Sequence, residues 1–380
     1  VAASLMVMAR NLLLLFVAME MLSIISYVGV SFNTGSTRSA EAGIKYVIYG
    51  SVASALMLFG ISFLYGMTGS LDYAAIRESL TYVTPGADAV NQWAMIVFVM
   101  ILIGLFFKLA AVPFHAWSPD AFEGGPTPFV ALLSVASKAA ALGAMLRLFF
   151  TVFSDASTRD SLLPIVAVDW RVIIGVVAAI TMTVGNLAAI PQKNLKRLLA
   201  WSSIAHAGYL LMGLSAASGE AIHAVLLYLI AYLVMNMGAF FCVQQVGDAD
   251  GDESIERFEG LAKRSPLLAA CFAIFLLSLT GIPPFVGFVG KFYLFAAVIS
   301  QGGFWYLLLT VIGVLNSVIS LFYYARILRA MYLSSNEREA LPRTRTRTGI
   351  IAVMAAFTLL CGIYWSPLLS AVNAAGTFAR

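Results

Sequence analysis

The sequence predicts an all-α polytopic membrane protein with about ten transmembrane helices, two of them discontinuous. Three observations carry this prediction. Hydrophobic residues make up 61% of the 380 and charged residues only 11%, at a mean hydropathy of +0.91, whereas a soluble domain carries roughly 25% charged residues. The apolar residues gather into runs of the length that crosses a bilayer, about 20 residues. Two of those runs are interrupted by proline and glycine close to a lysine. The formal charge of +4 is small, and the basic residues fall where topology puts them, so no nucleic-acid partner is expected.

Taken in order, the spans lie near residues 4–30, 44–67, 93–118, 127–151, 170–190, 198–216, 220–245, 266–299, 304–332 and 349–371. Val1 leads almost directly into the first, with no signal peptide ahead of it, so a missing leading segment or an unconventional start is expected. The third span carries Lys108 with Pro113 and Pro119, and the eighth carries TGIPPFVGFVGK at 280–291. Such breaks persist in a bilayer only where protein or a wet cavity satisfies the freed backbone groups. Two of them in one chain point to paired repeats with a site at the membrane midplane.

With alternating spans, one side holds fourteen basic residues: Arg38, Lys45, Lys193, Lys196, Arg197, Arg257, Lys263, Arg264, Arg326, Arg329, Arg338, Arg343, Arg345 and Arg347. The other holds six, Arg10, Arg77, Arg147, Arg159, Arg171 and Arg380. The richer side is expected to be cytoplasmic, which leaves both termini outside. The remaining three of the 23, Lys108, Lys138 and Lys291, fall inside the membrane.

Those lysines and Glu20, in the middle of LLLLFVAMEMLSIISYV, are the chargeable groups that composition does not explain. A charge at the bilayer centre costs about 2.5–3.5 kcal/mol on insertion scales, so the four must face one another or a hydrated interior. A lysine beside a movable glutamate is a proton-binding switch. The alternative is a set of static ion pairs; four such residues on separate spans beside two breaks favour function. Ser134 stands one turn before Lys138. Ser202, His206 and Tyr209 share a face at spacings of four and three, and Tyr228, Tyr232 and Asn236 repeat every fourth residue. Together they could line a chain of water and side chains, for which histidine is suited. His115 at the break reads as structural, His223 as interfacial, and Glu41 with Lys45 as a surface pair one turn apart.

Other patterns carry less. Cys242, Cys271 and Cys361 stand alone in apolar segments with no CxxC pair, so no zinc or iron–sulfur site is offered. DADGDESIERFE at 248–259 spaces its acids like a calcium loop but has Glu253 where the turn demands glycine. RTRTRT at 343–348 reads as a basic flank near lipid phosphates. No nucleotide fingerprint, nucleophile–base pair or haem-ligand pattern occurs, and the chain is expected to hold no redox centre.

FKLAAVPFHAWSPDAFEGGPTPFVALLSVASKAA at 107–140, NLKRLLAWSSIAHAGYLLMGL at 194–214 and LTGIPPFVGFVGKFYLF at 279–295 together resemble the antiporter-like proton-pumping subunits of respiratory complex I. The resemblance runs through essentially all ten spans and is strongest to the subunit N branch of bacterial NADH:quinone oxidoreductase, related to mitochondrial chain 2. A lysine at 291 fits that branch, where the M branch would carry glutamate. It implies that these spans resemble helices 5–14 of an inverted-repeat fold whose usual fourteen helices include four earlier ones. The single membrane domain then divides into the remainder of a first repeat (1–151, with Glu20, Lys108 and Lys138), a second repeat (168–332, with His206 and Lys291) and a final helix (349–371). Quinone reduction elsewhere would drive a proton from Lys108, modulated by Glu20, to Lys138 and on to Lys291, with His206 as a bridge. The resemblance places the chain in the bacterial inner membrane as one of several membrane-arm subunits of a hetero-oligomer. FMN, iron–sulfur clusters and quinone would belong to partner subunits. Alternatives are a subunit of a multisubunit sodium/proton antiporter, a subunit of a membrane-bound hydrogenase, and a non-pumping structural subunit.

Overall fold

Each apolar run becomes a helix because a bilayer offers backbone amides no partner outside the segment itself. The computed structural model describes residues 1–81, 88–154, 164, 168–334, 339–341 and 345–376; Arg159, Arg338, Arg343 and Arg380 lie outside them. In chain order the α-helices are α1 (Ala2–Met8), α2 (Leu12–Val30), α3 (Thr37–Thr68), α4 (Tyr73–Thr81), α5 (Asp88–Leu109), α6 (Trp117–Gly124), α7 (Thr127–Thr151) and α8 (Trp170–Ala189). They continue as α9 (Leu195–Ser215), α10 (Gly219–Asp250), α11 (Leu261–Arg264), α12 (Pro266–Thr280), α13 (Val286–Ile299), α14 (Gly303–Leu333), α15 (Arg345–Ile363) and α16 (Ser366–Gly376). Among the described residues nine helices are long and apolar enough to cross a bilayer, and the shorter α12 and α13 follow each other in series.

Several ends differ from the sequence expectation, and two of them have a local cause. The first span starts at Leu12, not near residue 4, because the chain is extended at Asn11, whose side chain accepts from the Leu13 amide. Backbone bonds from Leu12 to Leu71 and from Tyr73 to Arg10 hold that extension. The last span stops at Ile363. Pro367 has no amide hydrogen to donate back to Ile363, so the helix does not run through it and a separate short helix, α16, starts at Ser366.

Both expected breaks are present, each with a cis X-Pro peptide, Val112–Pro113 and Pro283–Pro284. In the first, α5 ends one residue after Lys108, Ala110 turns left-handed (φ 58°), and α6 resumes at Trp117. Pro113 and Pro119 thus both follow the lysine. The Phe107 carbonyl accepts from the Ala110 amide at 3.1 Å and from Trp117 Nε1 at 3.0 Å, and the Val112 amide donates to Thr181 Oγ1 of α8 at 3.1 Å. In the second, Gly281 (φ 89°) ends α12 in a conformation that favours glycine. The Gly287 amide that starts α13 donates to Ser278 Oγ at 3.1 Å.

The core sits along α9, where nearly every residue is buried. Gly185 of α8 and Gly208 of α9 bring those two backbones together: a Cβ on Gly185 would lie 2.6 Å from the Ala205 amide nitrogen, and one on Gly208 2.7 Å from that of Met182. α14 and α15 are the most open spans. Their outward faces carry Val314, Leu315, Val318, Val353 and Leu360.

Candidate functional site

All three intramembrane lysines are enclosed, with side chains at most 3% exposed, and no described ion pair includes any of them. Lys108 is the most isolated. Its Nζ has no hydrogen-bond partner and lies 6.0 Å from the centre of the Tyr46 ring and 5.8 Å from that of Phe107. Tyr46 is itself stacked on Trp117, at 4.1 Å between centroids. Glu20, half-buried on α2, makes no described hydrogen bond or ion pair with Lys108. Its carboxylate accepts from the Ser54 hydroxyl of α3, and its charge reaches the lysine only through space.

Lys138 on α7 donates to the backbone carbonyl of Ser203 on α9. Ser134, one turn earlier on the same helix, accepts from Asn236 Nδ2 of α10 at 2.6 Å. The three-residue stripe on α10 lies against the site as its spacing implied. Tyr232 donates to the Ser203 hydroxyl at 2.7 Å, and the Tyr228 hydroxyl meets His206 Nδ1. The His206 ring lies 5.0 Å from Tyr232 and 5.9 Å from Tyr209, centre to centre.

Lys291 on α13 closes the second break. Its Nζ donates to the carbonyls of Leu279 (3.1 Å) and Thr280 (2.9 Å), which the end of α12 leaves free, and to Ser317 Oγ of α14 (3.0 Å). It also stands 4.5 Å over the Tyr209 ring. His206 therefore sits between Lys138, reached through Ser203 and Tyr232, and Lys291, reached through Tyr209. What the arrangement can do chemically is hold a proton at several separate nitrogens joined by hydroxyl, imidazole and aromatic contacts.

Other expected residues take lesser places. His115 packs against Trp201 at 5.5 Å with Nδ1 unpartnered, and His223 is partly buried on α10. Glu41 and Lys45 pair at 2.6 Å, but Lys45 also reaches Asp120 at 2.8 Å, and Asp120 and Glu123 both bind Arg197. An ionic knot thus ties α3, α6 and α9 at the basic face. The three aspartates of 248–259 are taken by arginines, Asp248 by Arg347, Asp250 by Arg264 and Asp252 by Arg257. Among the described residues no group of three His, Cys, Asp or Glu side chains could hold a metal.

Sequence reasoning missed two features. Lys196, counted only as a topological charge, is buried, donating to the Gly125 carbonyl at 2.8 Å with Glu253 3.6 Å away. A polar stripe on α14, Asn316, Ser317, Ser320, Tyr323 and Tyr324, faces inward. Its signal was present as polar residues spaced by three and four in an otherwise apolar run.

Enclosed lysines at two helix breaks in an all-helical, multi-pass bundle define an antiporter-like membrane protein. The chain belongs to the transmembrane family described as NADH:quinone oxidoreductase/Mrp antiporter, whose model matches residues 9–320. It is 46% identical over 367 residues to NADH-quinone oxidoreductase subunit N 2 of Sorangium cellulosum (strain So ce56), covering 96% of this chain and 72% of the relative. It is 45% identical over 380 residues to NADH-quinone oxidoreductase subunit N of Anaeromyxobacter sp. (strain Fw109-5), covering 96% and 73%. Among solved structures, a chain of respiratory complex I from Thermus thermophilus with bound aureothin matches at 30% identity and TM-score 0.79, over 98% of this chain and 77% of that one. A chain of the Mrp complex from Dietzia sp. DQ12-45-1b shares the fold at TM-score 0.83 and 22% identity, over 99% and 75%.

Proposed function

We propose that this chain is a proton-translocating membrane-arm subunit of an NADH:quinone oxidoreductase, moving protons along Glu20, Lys108, Lys138, His206 and Lys291. The observation that carries the reading is that three enclosed lysines have no carboxylate partner in contact among the described residues. Static ion pairs, the structural alternative, require one for each. A lysine held by carbonyls, a hydroxyl or aromatic faces is instead free to lose and regain a proton as nearby charge changes. Glu20, close but not bonded, is placed to supply such a charge to Lys108.

In this reading the two breaks belong to two repeats, 1–151 and 168–332, with 349–371 outside them. The face rich in Lys and Arg is cytoplasmic and both termini are periplasmic. NADH, FMN, iron–sulfur clusters and quinone are handled by partner subunits, and this chain holds no redox group. A multisubunit cation/proton antiporter remains the second reading, since its fold is shared.

Replacing Lys108 by alanine in the assembled complex tests the proposal. Loss of proton pumping with assembly and NADH oxidation retained is the expected result. Loss of assembly alone, or unchanged pumping, overturns it. Purifying the native assembly separates the two readings: FMN and iron–sulfur absorbance with NADH-oxidising partners supports this one, and a colourless, purely membranous assembly supports the antiporter.

A further inference from the structure

Lys291 faces a second buried polar chain that the relay through His206 does not use. From Lys291, which also stands over the Tyr209 ring, it runs to Ser317 Oγ at 3.0 Å, and the Tyr209 hydroxyl donates at 3.3 Å to the carbonyl of Gly313, one turn before Ser317 on α14. Asn186 Oδ1 accepts from the Tyr323 hydroxyl at 2.9 Å, and its Nδ2 donates to Asn316 Oδ1 at 3.0 Å. Tyr323 packs on Tyr324 at 4.4 Å between ring centres, and Tyr324 bonds to Ser202. Asn186, Asn316, Tyr323, Tyr324 and Ser202 are all at most 3% exposed.

The chain has a direction. Lys291 lies where α12 and α13 meet, whereas Asn186 is three residues from the end of α8, about 5 Å along the helix axis. That end opens on the basic face. There Arg326 donates to the carbonyls of Ile190 and Gln192, while its buried Nε has no partner. Buried polar groups cost free energy unless they are satisfied, and a stripe of them on a lipid-spanning helix marks a transport path by default.

We propose that the α14 stripe is a separate proton branch that supplies Lys291 from the basic face, with Arg326 at its mouth. The inference rests on the proton-translocating reading above. A proton enters from water at that face. Each of Tyr324, Tyr323, Tyr209 and Ser317 accepts one proton on its hydroxyl oxygen as it releases its own. The Asn186 amide does not relay; it fixes the Tyr323 hydroxyl, and water carries the proton from there to Tyr209. The last transfer converts the neutral Lys291 amine to the ammonium, and the hydroxyls end as they began. Lys291 then has two suppliers, the Lys138–His206 line and this branch.

The test uses the assembled complex in inverted membrane vesicles, with proton uptake measured per NADH oxidised. Tyr323→Phe keeps the ring and removes only the hydroxyl. The expected result is a fall in that ratio of twofold or more towards the value given by Lys291→Ala, with NADH oxidation retained and a changed H2O/D2O effect on uptake. An unchanged ratio and isotope effect overturns the branch. If Lys108→Ala still abolishes pumping in the same experiment, the underlying reading survives that failure; if it does not, both fall. Should Tyr323→Phe fail to assemble, Tyr324→Phe, which leaves the Asn186–Asn316 pair intact, carries the same test with the same two outcomes.

Discussion

Lys138 and Ser203 join α7 to α9 through one bond, from the lysine Nζ to the serine carbonyl, and the hydroxyl of that same serine accepts from Tyr232. His206 follows three residues later on the same helix, bonded to Tyr228. The centre of the site is therefore built on the backbone of the most enclosed helix, and its geometry depends on α9 keeping its place.

Replacing His206 by alanine opens the gap between Lys138 and Lys291 without touching either lysine. Proton pumping per NADH oxidised is expected to fall at least severalfold if the His206 line is the main supply. Tyr228→Phe, which only frees the ring to turn, is expected to give a smaller loss. Equal pumping by all three forms would remove His206 from the relay.

Asn236→Leu is expected to be nearly neutral for stability. The Nδ2 bond to Ser134 is an interhelical bond of the kind worth about 0.6 kcal/mol in a membrane protein. Against that loss, Oδ1 of the same residue is buried with no partner, so its removal relieves a cost. The midpoint of thermal unfolding in detergent measures the balance, and a drop of many degrees would contradict it.

Gly362 of α15 lies directly against the second break. A Cβ there would stand 2.0 Å from the Pro284 carbonyl oxygen, which is backbone and cannot step aside. Gly362→Ala should push α15 off the break at a cost of roughly 1–3 kcal/mol. Lowered thermal stability is expected, while Gly349→Ala, where nothing lies within 4 Å, should be harmless.

Asp169, which caps α8 outside the membrane, gives a pH signature. Its bond and ion pair with Arg171, at 2.8 Å, hold its carboxyl below the ordinary value despite partial burial. A depressed carboxylate stabilises the fold above its unfolded pKa of about 3.9, and that contribution is lost as pH falls through the lower folded value. Asp169→Ala should therefore destabilise by about 1 kcal/mol at neutral pH through loss of the cap. The difference from the parent should shrink below about pH 4 in acid unfolding curves.

Residues whose presence a bilayer cannot tolerate were legible in the sequence. Lys108, Lys138 and Lys291 stand out against apolar neighbours, and the two proline breaks announce themselves locally. The α10 stripe was legible for the same reason, since its fourfold spacing fixes one face. Pairing across helices was not. Glu20 bonds to Ser54, thirty-four residues away in sequence, and spacing along a chain says nothing of such a pairing. Lys196 was hidden because a lysine at a helix start looks the same whether it faces water or, as here, the turn at Gly125.

The acceptors around Lys291 bear on how little the surroundings must rearrange when it changes state. Two are backbone carbonyls, which cannot themselves gain or lose a proton, and the third is a hydroxyl that can either accept or donate. An ammonium fills all three. A neutral amine still fills the two carbonyls with its two hydrogens and turns its lone pair to the Ser317 hydroxyl, whose hydrogen swings over from the Thr280 carbonyl. Neither form leaves an orphaned group, so occupancy of the nitrogen can alternate without repacking the helices that hold it.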